Sequence, residues 1–590
     1  MKYRMKSGGR TLPTATAGVL IAAALQLGGA SAQEAGAARP QDACVGDAGG
    51  ITLPRGFCAT VFADNIGHAR QLVVAPNGVV YVNTWSGRYY KNDNPPAGGF
   101  LVALKDTKGD GHADVTARFG ESFAEGSHGG TGIGLYKDGL YAEVNDRIIR
   151  FALSAGDVAP KGKAETIVSG MPVTGDHPMH PFIIDQDGNI LVDLGSATNA
   201  CEEKNRMPQS PGNEPCKEQE TRGGVWRYDA NKTGQQFSPA ERYATGIRNG
   251  EGFSSDAAGR IFVTQHGRDQ LYEDWHQFFT AQQGQDLPAE EVVQLVRGGD
   301  YGWPKCYFDN SQQKLVLAPE YGGDGGKKVG ACSEKKGPAA VFPGHWAPND
   351  LKFYNGKDFP AAYRGGAFIA FHGSWNRAPG PQGGYNVVFQ PFADGKASGP
   401  YAVFADGFAG AVKEPGRATY RPSGLAVGLD GALYITDDVL GRIWRVTYKG
   451  APNAAVEAAP APVVAASTSA GALPPEGVHP DAGLPTPPGA TKEQVALGGR
   501  IFLGEVGGAT CAGCHGTDAK GTPVGADLTS GKWLWSDGSL EGITKTIVNG
   551  VPEPKEHNGA MPPMGGVELS QAEIAATAAY VWALGHQNAP

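Results

Sequence analysis

Leu72-Val73-Val74-Ala75-Pro76-Asn77-Gly78-Val79-Val80-Tyr81-Val82 reads as an apolar strand, an Asn-Gly turn and a second apolar strand, the pattern of a β-hairpin. The phrase recurs at Gly134-Leu135-Tyr136-Lys137-Asp138-Gly139-Leu140-Tyr141, at 182–192 around Asp187-Gly188, at 252–263 around Gly259, and at 425–435 around Asp430-Gly431. The glycines at 78, 139, 188, 259 and 431 are spaced by 61, 49, 71 and 172 residues. The last gap holds two units, with Ala367-Phe368-Ile369-Ala370-Phe371 as a degenerate copy inside it. Six such units predict an all-β six-bladed propeller over 33–450, with a sandwich of hairpins as the alternative.

A chain of 590 residues is too long for one core and divides into domains. Residues 1–32 have the form of a secretory signal: basic Lys2, Arg4, Lys6 and Arg10, an apolar run from Ala15 to Leu27, and Ala30-Ser31-Ala32 for cleavage. That run is short for a bilayer and nothing later is long enough. The expectation is an exported, periplasmic protein that does not span the membrane. Lysine and arginine number 51 against 60 acids, a formal charge of −9. Losing the four leader bases makes it more negative still, which argues against nucleic acid as a partner. Cys44/Cys58, Cys201/Cys216 and Cys306/Cys332 fall in sequence-close pairs, and local disulfides are expected from the 15 connectivities that six cysteines allow. Residues 451–490 hold 12 alanines and 9 prolines with three charged side chains, the composition of a semi-extended tether.

Beyond the tether, Cys511-Ala512-Gly513-Cys514-His515 is a C-x-x-C-H haem-attachment signature. The thiols of Cys511 and Cys514 would bond one covalent haem c, and His515 would ligate its iron. No second C-x-x-C exists to complete a zinc site. Met561, just before Pro562, is the expected second axial ligand, with Met564 as the alternative. A helix is predicted over 493–502. Another follows Ser570, a cap residue, with Ile574, Ala578, Val581 and Trp582 at helical spacing. In this order 491–590 resembles class I cytochromes c, an all-α domain. Where that family places Gly-Pro-x-Leu, whose carbonyl accepts from the axial imidazole, this chain has Gly525-Ala526-Asp527-Leu528.

Further phrases are Gly175-Asp176-His177, Gly246-Ile247-Arg248-Asn249, Gly298-Gly299-Asp300-Tyr301-Gly302-Trp303-Pro304, His372-Gly373-Ser374-Trp375-Asn376-Arg377, Arg421-Pro422-Ser423-Gly424 and Asp437-Asp438. Through them 50–449 resembles the soluble quinoprotein glucose/sorbosone dehydrogenases, nearest the L-sorbosone dehydrogenase branch. These are six-bladed propellers that hold pyrroloquinoline quinone (PQQ). The resemblance implies His177 as proton acceptor from the sugar hydroxyl, oriented by Asp176, and Arg248 as the group that stabilises the oxyanion. It implies Arg377 and Arg421 as clamps on the cofactor's carboxylates, Asn249 as a hydrogen-bond partner, and the backbone carbonyls of Gly267 and Arg268 as calcium ligands. Some relatives have Gly-Asp where this chain has Gly195-Ser196, and Gly250 replaces the usual proline after Arg-Asn. No G-x-G-x-x-G follows a strand to hold a nicotinamide, and side chains alone cannot take a hydride. Asp106 to Asp114 has the look of a calcium loop, but Lys108 stands at a would-be ligand position, so a polar turn is expected. The expectation is a PQQ-dependent sugar dehydrogenase, oxidising an aldose or sorbosone-like substrate. It would pass electrons through haem c to a soluble cytochrome or a membrane oxidase or quinone. A propeller lactonase, or a non-catalytic binding propeller carrying a cytochrome, is the alternative.

Overall fold

The computed structural model describes Cys44 and residues 48–84, 97–120, 130–377, 381–413, 417–461 and 483–587, apart from 504–505, 507–508, 510, 517, 522–524, 553, 558–559 and 568. The leader read over 1–32 and the middle of the tether, 462–482, lie outside the described residues. Six sheets form the blades of a propeller: five have four antiparallel strands, and the second has a fifth, Gln235–Gln236, paired in parallel with Glu165–Ser169. Every hairpin phrase belongs to the first two strands of a blade. Ala69–Val74 pairs Val80–Thr84 across the first turn, where Gly78 has φ of +80°, and Pro422–Val427 pairs Leu433–Asp437 across Gly431 at φ +87°. A side chain rarely adopts this left-handed backbone, which is why glycine marks both turns. The degenerate copy Ala367–Phe371 is the second strand of the fifth blade and pairs Pro348–Phe353.

The first strands of neighbouring blades contact one another around the propeller axis. Between blades the core is aromatic and aliphatic. Phe57, Phe359, Tyr363, Phe368, Phe404 and Trp444 share one cluster, and Phe262, Phe342, Phe353 and Phe371 share another. The ring closes because Phe57–Ala63, the first strand of the chain, pairs Ile443–Tyr448, the last of the propeller. Three disulfides, Cys44–Cys58, Cys201–Cys216 and Cys306–Cys332, pair as expected. Two short helices in the fourth blade's connection, α1 (Leu271–Trp275) and α2 (Ala281–Asp286), were not expected from the sequence.

The C-terminal region is helical: α3 (Lys492–Phe502), α4 (Cys511–His515), α5 (Leu540–Asn549) and α6 (Gln571–Gly585). Thr491 with Gln494, and Ser570 with Glu573, form reciprocal capping boxes that start α3 and α6. The two helices cross closely at Gly498, where a Cβ would lie 2.0 Å from the Ala576 carbonyl oxygen. No helix among the described residues is long and apolar enough to cross a membrane.

Candidate functional site

In an antiparallel blade the entrance to the first strand and the exit of the second lie at the same end. The sequence phrases sit at these two positions. His177 precedes the first strand of the third blade, Phe182–Ile184, and Ser196 follows the second, Asn189–Leu194. Arg248, Asn249 and Glu251 precede Phe253–Ser255 of the fourth blade, and His266, Gly267 and Asp269 follow Ile261–Gln265. His372 follows Ala367–Phe371, and Arg421 precedes Pro422–Val427. All of these but Ser196 line one open cavity of about 980 Å³, solvent at its mouth included.

His177 Nδ1 lies 3.0 Å from both the carbonyl oxygen and the hydroxyl of Ser196. The hydroxyl donates its own proton to the Thr198 carbonyl at 2.7 Å, so both oxygens act as acceptors toward the ring. Nδ1 therefore carries the proton and Nε2 keeps its lone pair. Burial, then the charges of Arg248 and Arg206, push the imidazole well below its usual range, which holds it neutral near pH 7.

Arg248 is almost fully committed. Its Nε donates to Asn199 O at 3.0 Å, Nη1 to Gly267 O at 2.9 Å, and Nη2 to Asn199 Oδ1 and Asp269 Oδ2 at 2.9 and 3.0 Å. One Nη1 hydrogen remains for a guest. Asp269 is the hub beneath it. Its Oδ2 also accepts from Arg206 Nη2 at 2.9 Å, and its Oδ1 from Asn376 Nδ2 at 2.8 Å. Burial raises this carboxyl, but Arg248 and Arg206 outweigh burial and hold it well below its usual range.

Two expected roles are corrected by these contacts. Asp176 lines the cavity, but its carboxylate is taken by Arg206 Nε at 3.0 Å and Asn205 Nδ2 at 3.3 Å, and Ser196 stands where the orienting group of His177 was expected. Arg377 does not line the cavity. Its donors reach the carbonyls of Gln285, Gly344 and Pro381 at 2.7, 2.8 and 3.3 Å, and Asp286 at 3.2 Å. It ties three loops together and offers nothing to a cofactor. Arg421 does line it. Its Nε and Nη2 hold the His372 and Gly373 carbonyls at 3.0 and 2.8 Å, its plane lies over Tyr385, and Nη1 has no hydrogen-bond partner among the described residues.

Asn249 and Gly267 line the cavity, whereas Arg268 does not. The Arg268 guanidinium is held by Glu320, by Asp269 O at 3.0 Å and by Asp274 at 3.6 Å. The turn at Asp106 satisfies itself: its carboxylate accepts from the backbone N–H of Lys108, Gly109 and Gly111, and Asp114 accepts from Thr107. The sequence did not single out Arg70, Arg206, Asp269 or His372 as site residues. Arg70 donates to Asp438 and Glu251 at 2.7 and 3.2 Å, and His372 Nε2 lies 2.8 Å from Asp438. For Arg206 the available signal was the disulfide Cys201–Cys216, which closes the loop that carries it.

The C-terminal domain holds a second cavity of about 1060 Å³, lined by Cys511, Cys514, His515, Met561 and Met564 among apolar Phe502, Trp533, Ile543, Ile547 and Val581. Neither Cys511 nor Cys514 is disulfide-bonded. His515 Nδ1 donates to the Ala526 carbonyl at 2.8 Å, so Nε2 is left for a metal. Ala526 thus does what the family's proline carbonyl does. Cys514 and Ala560 line both cavities.

A propeller with a charged cavity thus abuts a helical domain whose cavity gathers two thiols, an imidazole and two thioethers. The chain belongs to the TrAA12-like family, matched over residues 51–449. Residues 504–581 match cytochrome c oxidase, cbb3-type, subunit III. A pyrroloquinoline quinone-dependent pyranose dehydrogenase of Coprinopsis cinerea is 28% identical over 246 residues, 35% of this chain and 31% of that protein. An uncharacterized protein of Borreliella burgdorferi is 28% identical over 213 residues, 35% of this chain and 49% of that one. The chain thus spans half or less of these relatives' length. The cbb3-type cytochrome c oxidase subunit FixP of Rhizobium etli is 39% identical over 77 residues, 12% of this chain and 26% of that one. Among solved structures, a calcium structure of the Trichoderma reesei family AA12 enzyme aligns with a TM-score of 0.53 at 19% identity, covering 68% of this chain and 97% of that one. The PQQ domain of the Coprinopsis cinerea pyranose dehydrogenase gives the same score and identity over 67% and 97%. These two likenesses show the fold.

Proposed function

We propose that this protein is an exported quinohaemoprotein dehydrogenase that oxidises a sugar, an aldose or sorbosone-like compound, in the propeller and releases the electrons through its cytochrome domain. The observation that carries the reading is the oriented, neutral His177 facing the same cavity as Arg248 and Arg421. The wall suits a planar polyanion: Arg421 Nη1 and one Arg248 Nη1 hydrogen are uncommitted. PQQ, with three carboxylates, fits that donor set. When bound it supplies a two-electron acceptor that can be emptied one electron at a time. His177 Nε2 takes the proton of the sugar hydroxyl, and Ser196 holds the imidazolium that results through Nδ1. Arg248 stays aimed at the cavity because Asp269 and Asn199 hold it, ready for negative charge on the bound oxygen. Arg421 and Asn249 fix the guest's orientation.

Calcium would sit at the Gly267 carbonyl, which has a second lone pair beyond the one Arg248 uses. The Arg268 carbonyl is a less secure partner, since Arg268 lies outside the cavity wall. In the other cavity Cys511 and Cys514 would hold one haem c covalently, His515 would ligate its iron through Nε2, and Met561 or Met564 would complete it. The basic, apolar leader and the three disulfides favour a periplasmic location. The electrons would go on to a soluble cytochrome or a membrane oxidase or quinone.

The test is to add PQQ and calcium to the purified haem-loaded protein and follow haem reduction across a panel of aldoses, sorbosone and lactones. Reduction by a sugar is expected. Lactone hydrolysis without haem reduction would make the propeller a lactonase, and no turnover with tight ligand binding would make it a binding module.

A further inference from the structure

The propeller cavity is not bounded by the propeller alone. Cys514 and Ala560 of the cytochrome domain stand in its wall beside Trp375 and Asn376. A Cβ on Gly513 would lie 3.0 Å from the Trp375 carbonyl oxygen, and one on Gly566 2.6 Å from Glu273 Cβ on α1. Both contacts fall at glycines, so main chain meets the propeller with no side chain between, and a β-carbon at either place would push the surfaces apart. Either residue between the cysteines of C-x-x-C-H is free of haem bonding, so glycine at 513 answers to Trp375 and not to haem attachment.

We propose that α4 is the docking face by which the cytochrome domain seats on the cavity mouth, and that seating and sugar entry alternate. The inference rests on the redox reading above. Oxidation of one C–OH to C=O releases two protons and two electrons. The hydroxyl proton leaves by His177, the carbon's hydrogen departs with the electron pair and is released to solvent as a proton when that pair is drained, and the electrons leave singly past Cys514, so an external one-electron acceptor acts twice per turnover. A domain that forms part of the cavity wall shortens the electron's route and also narrows the sugar's. The alanine- and proline-rich composition of 451–490 is that of a tether, which keeps the two domains together in one chain.

The experiment compares Gly513→Leu and Gly513→Ala with the wild type, as haem-loaded full-length proteins. The first readout needs neither PQQ nor sugar: backbone hydrogen exchange over 271–275 and 372–377. Faster exchange is expected in Gly513→Leu and a smaller rise in Gly513→Ala, with covalent haem unchanged by pyridine haemochrome. The second uses PQQ and calcium. Sugar-driven haem reduction should fall at least ~10-fold in Gly513→Leu, while dye-coupled sugar oxidation keeps its kcat and its KM for sugar stays the same or drops. Wild-type exchange and wild-type haem reduction in Gly513→Leu overturn the docking face. Should leucine block haem attachment, the Gly513→Ala exchange decides alone, and wild-type exchange there overturns it. If no sugar reduces a dye in the wild type, the redox reading fails while the exchange result stands by itself.

Discussion

The two cavities are close in size and opposite in chemistry. The propeller's is walled by Arg70, Arg206, Arg248 and Arg421 against Asp176, Glu251, Asp269 and Glu290, drawn from loops of several blades. The cytochrome's is apolar, with its reactive atoms in one pentapeptide and one short loop. Proton transfer from a sugar needs fixed charges and a base held in one tautomer, which takes many second partners. Holding a porphyrin needs a dry slot and few atoms. One site is a lattice that tolerates little change; the other is a motif in a greasy slot.

The comparison breaks most sharply at the motif. Cys511→Ala with Cys514→Ala should remove all covalent haem, measured by pyridine haemochrome after acid–acetone extraction, while dye-coupled sugar oxidation survives. Haem resisting extraction in that variant would refute the assignment. Within the same slot, Met561→Ala should abolish the methionine-ligation absorbance of the ferric form; if only Met564→Ala does so, the axial ligand is Met564.

In the lattice, His177→Ala should slow dye-coupled oxidation ~10²–10⁴-fold without loss of fold or PQQ binding. Turnover like the wild type would take His177 out of the mechanism. Arg421→Lys and Arg377→Lys should separate what the sequence grouped. The first should weaken PQQ binding about 10-fold or more by titration, since a point charge replaces a planar fork. The second should lower Tm and leave PQQ affinity within about 2-fold; the reverse pattern would undo the correction.

The smallest effects concern how His177 is held. Ser196→Ala removes one acceptor but keeps the Ser196 backbone carbonyl, so kcat/KM should fall less than ~10-fold, the worth of a single hydrogen bond. Burial and the two arginines lower the His177 pKa. The neutral base is therefore fully present above its depressed pKa and lost only as pH falls through it. The kcat/KM profile should be flat from pH 8 through 6.5 and decline below. A decline centred at or above the ordinary imidazole value of about 6.5 would contradict this.

Five of the six blades were legible because each begins with two adjacent strands and a turn that glycine or Asp-Gly announces; the fifth joins Pro348–Phe353 to Ala367–Phe371 by a longer connection and left only a degenerate copy. Cys511 to His515 was legible because its chemistry is local. The helix α5 left a weaker trace in Ser539 as cap with Ile543 and Ile547 buried one turn apart. Arg206 left only the cysteine pair that closes its loop, and Asp269 left none, since a hub is defined by what three separate loops bring to it. Asp176 shows the opposite error: it adjoins His177 in the chain, yet its carboxylate turns to Arg206 while Ser196, from the following strand's end, takes the ring. Arg377 lies in the same phrase as His372 and Trp375, and only the carbonyls it meets reveal that it is a strut.

The pairing of Phe57–Ala63 with Ile443–Tyr448 sets an order of events. The outer strand of the sixth blade is made first and its three inner strands last, so the ring cannot shut during synthesis of the earlier blades. Contacts of such long sequence separation carry the largest closure entropy and come late. Cys58 lies on the closing strand and is bonded to Cys44 just ahead of it, so an oxidising compartment would stiffen the latch before it engages. A full-length chain whose ring has not yet closed would leave Ile443–Tyr448 as an open β-edge, the surface through which such intermediates join one another.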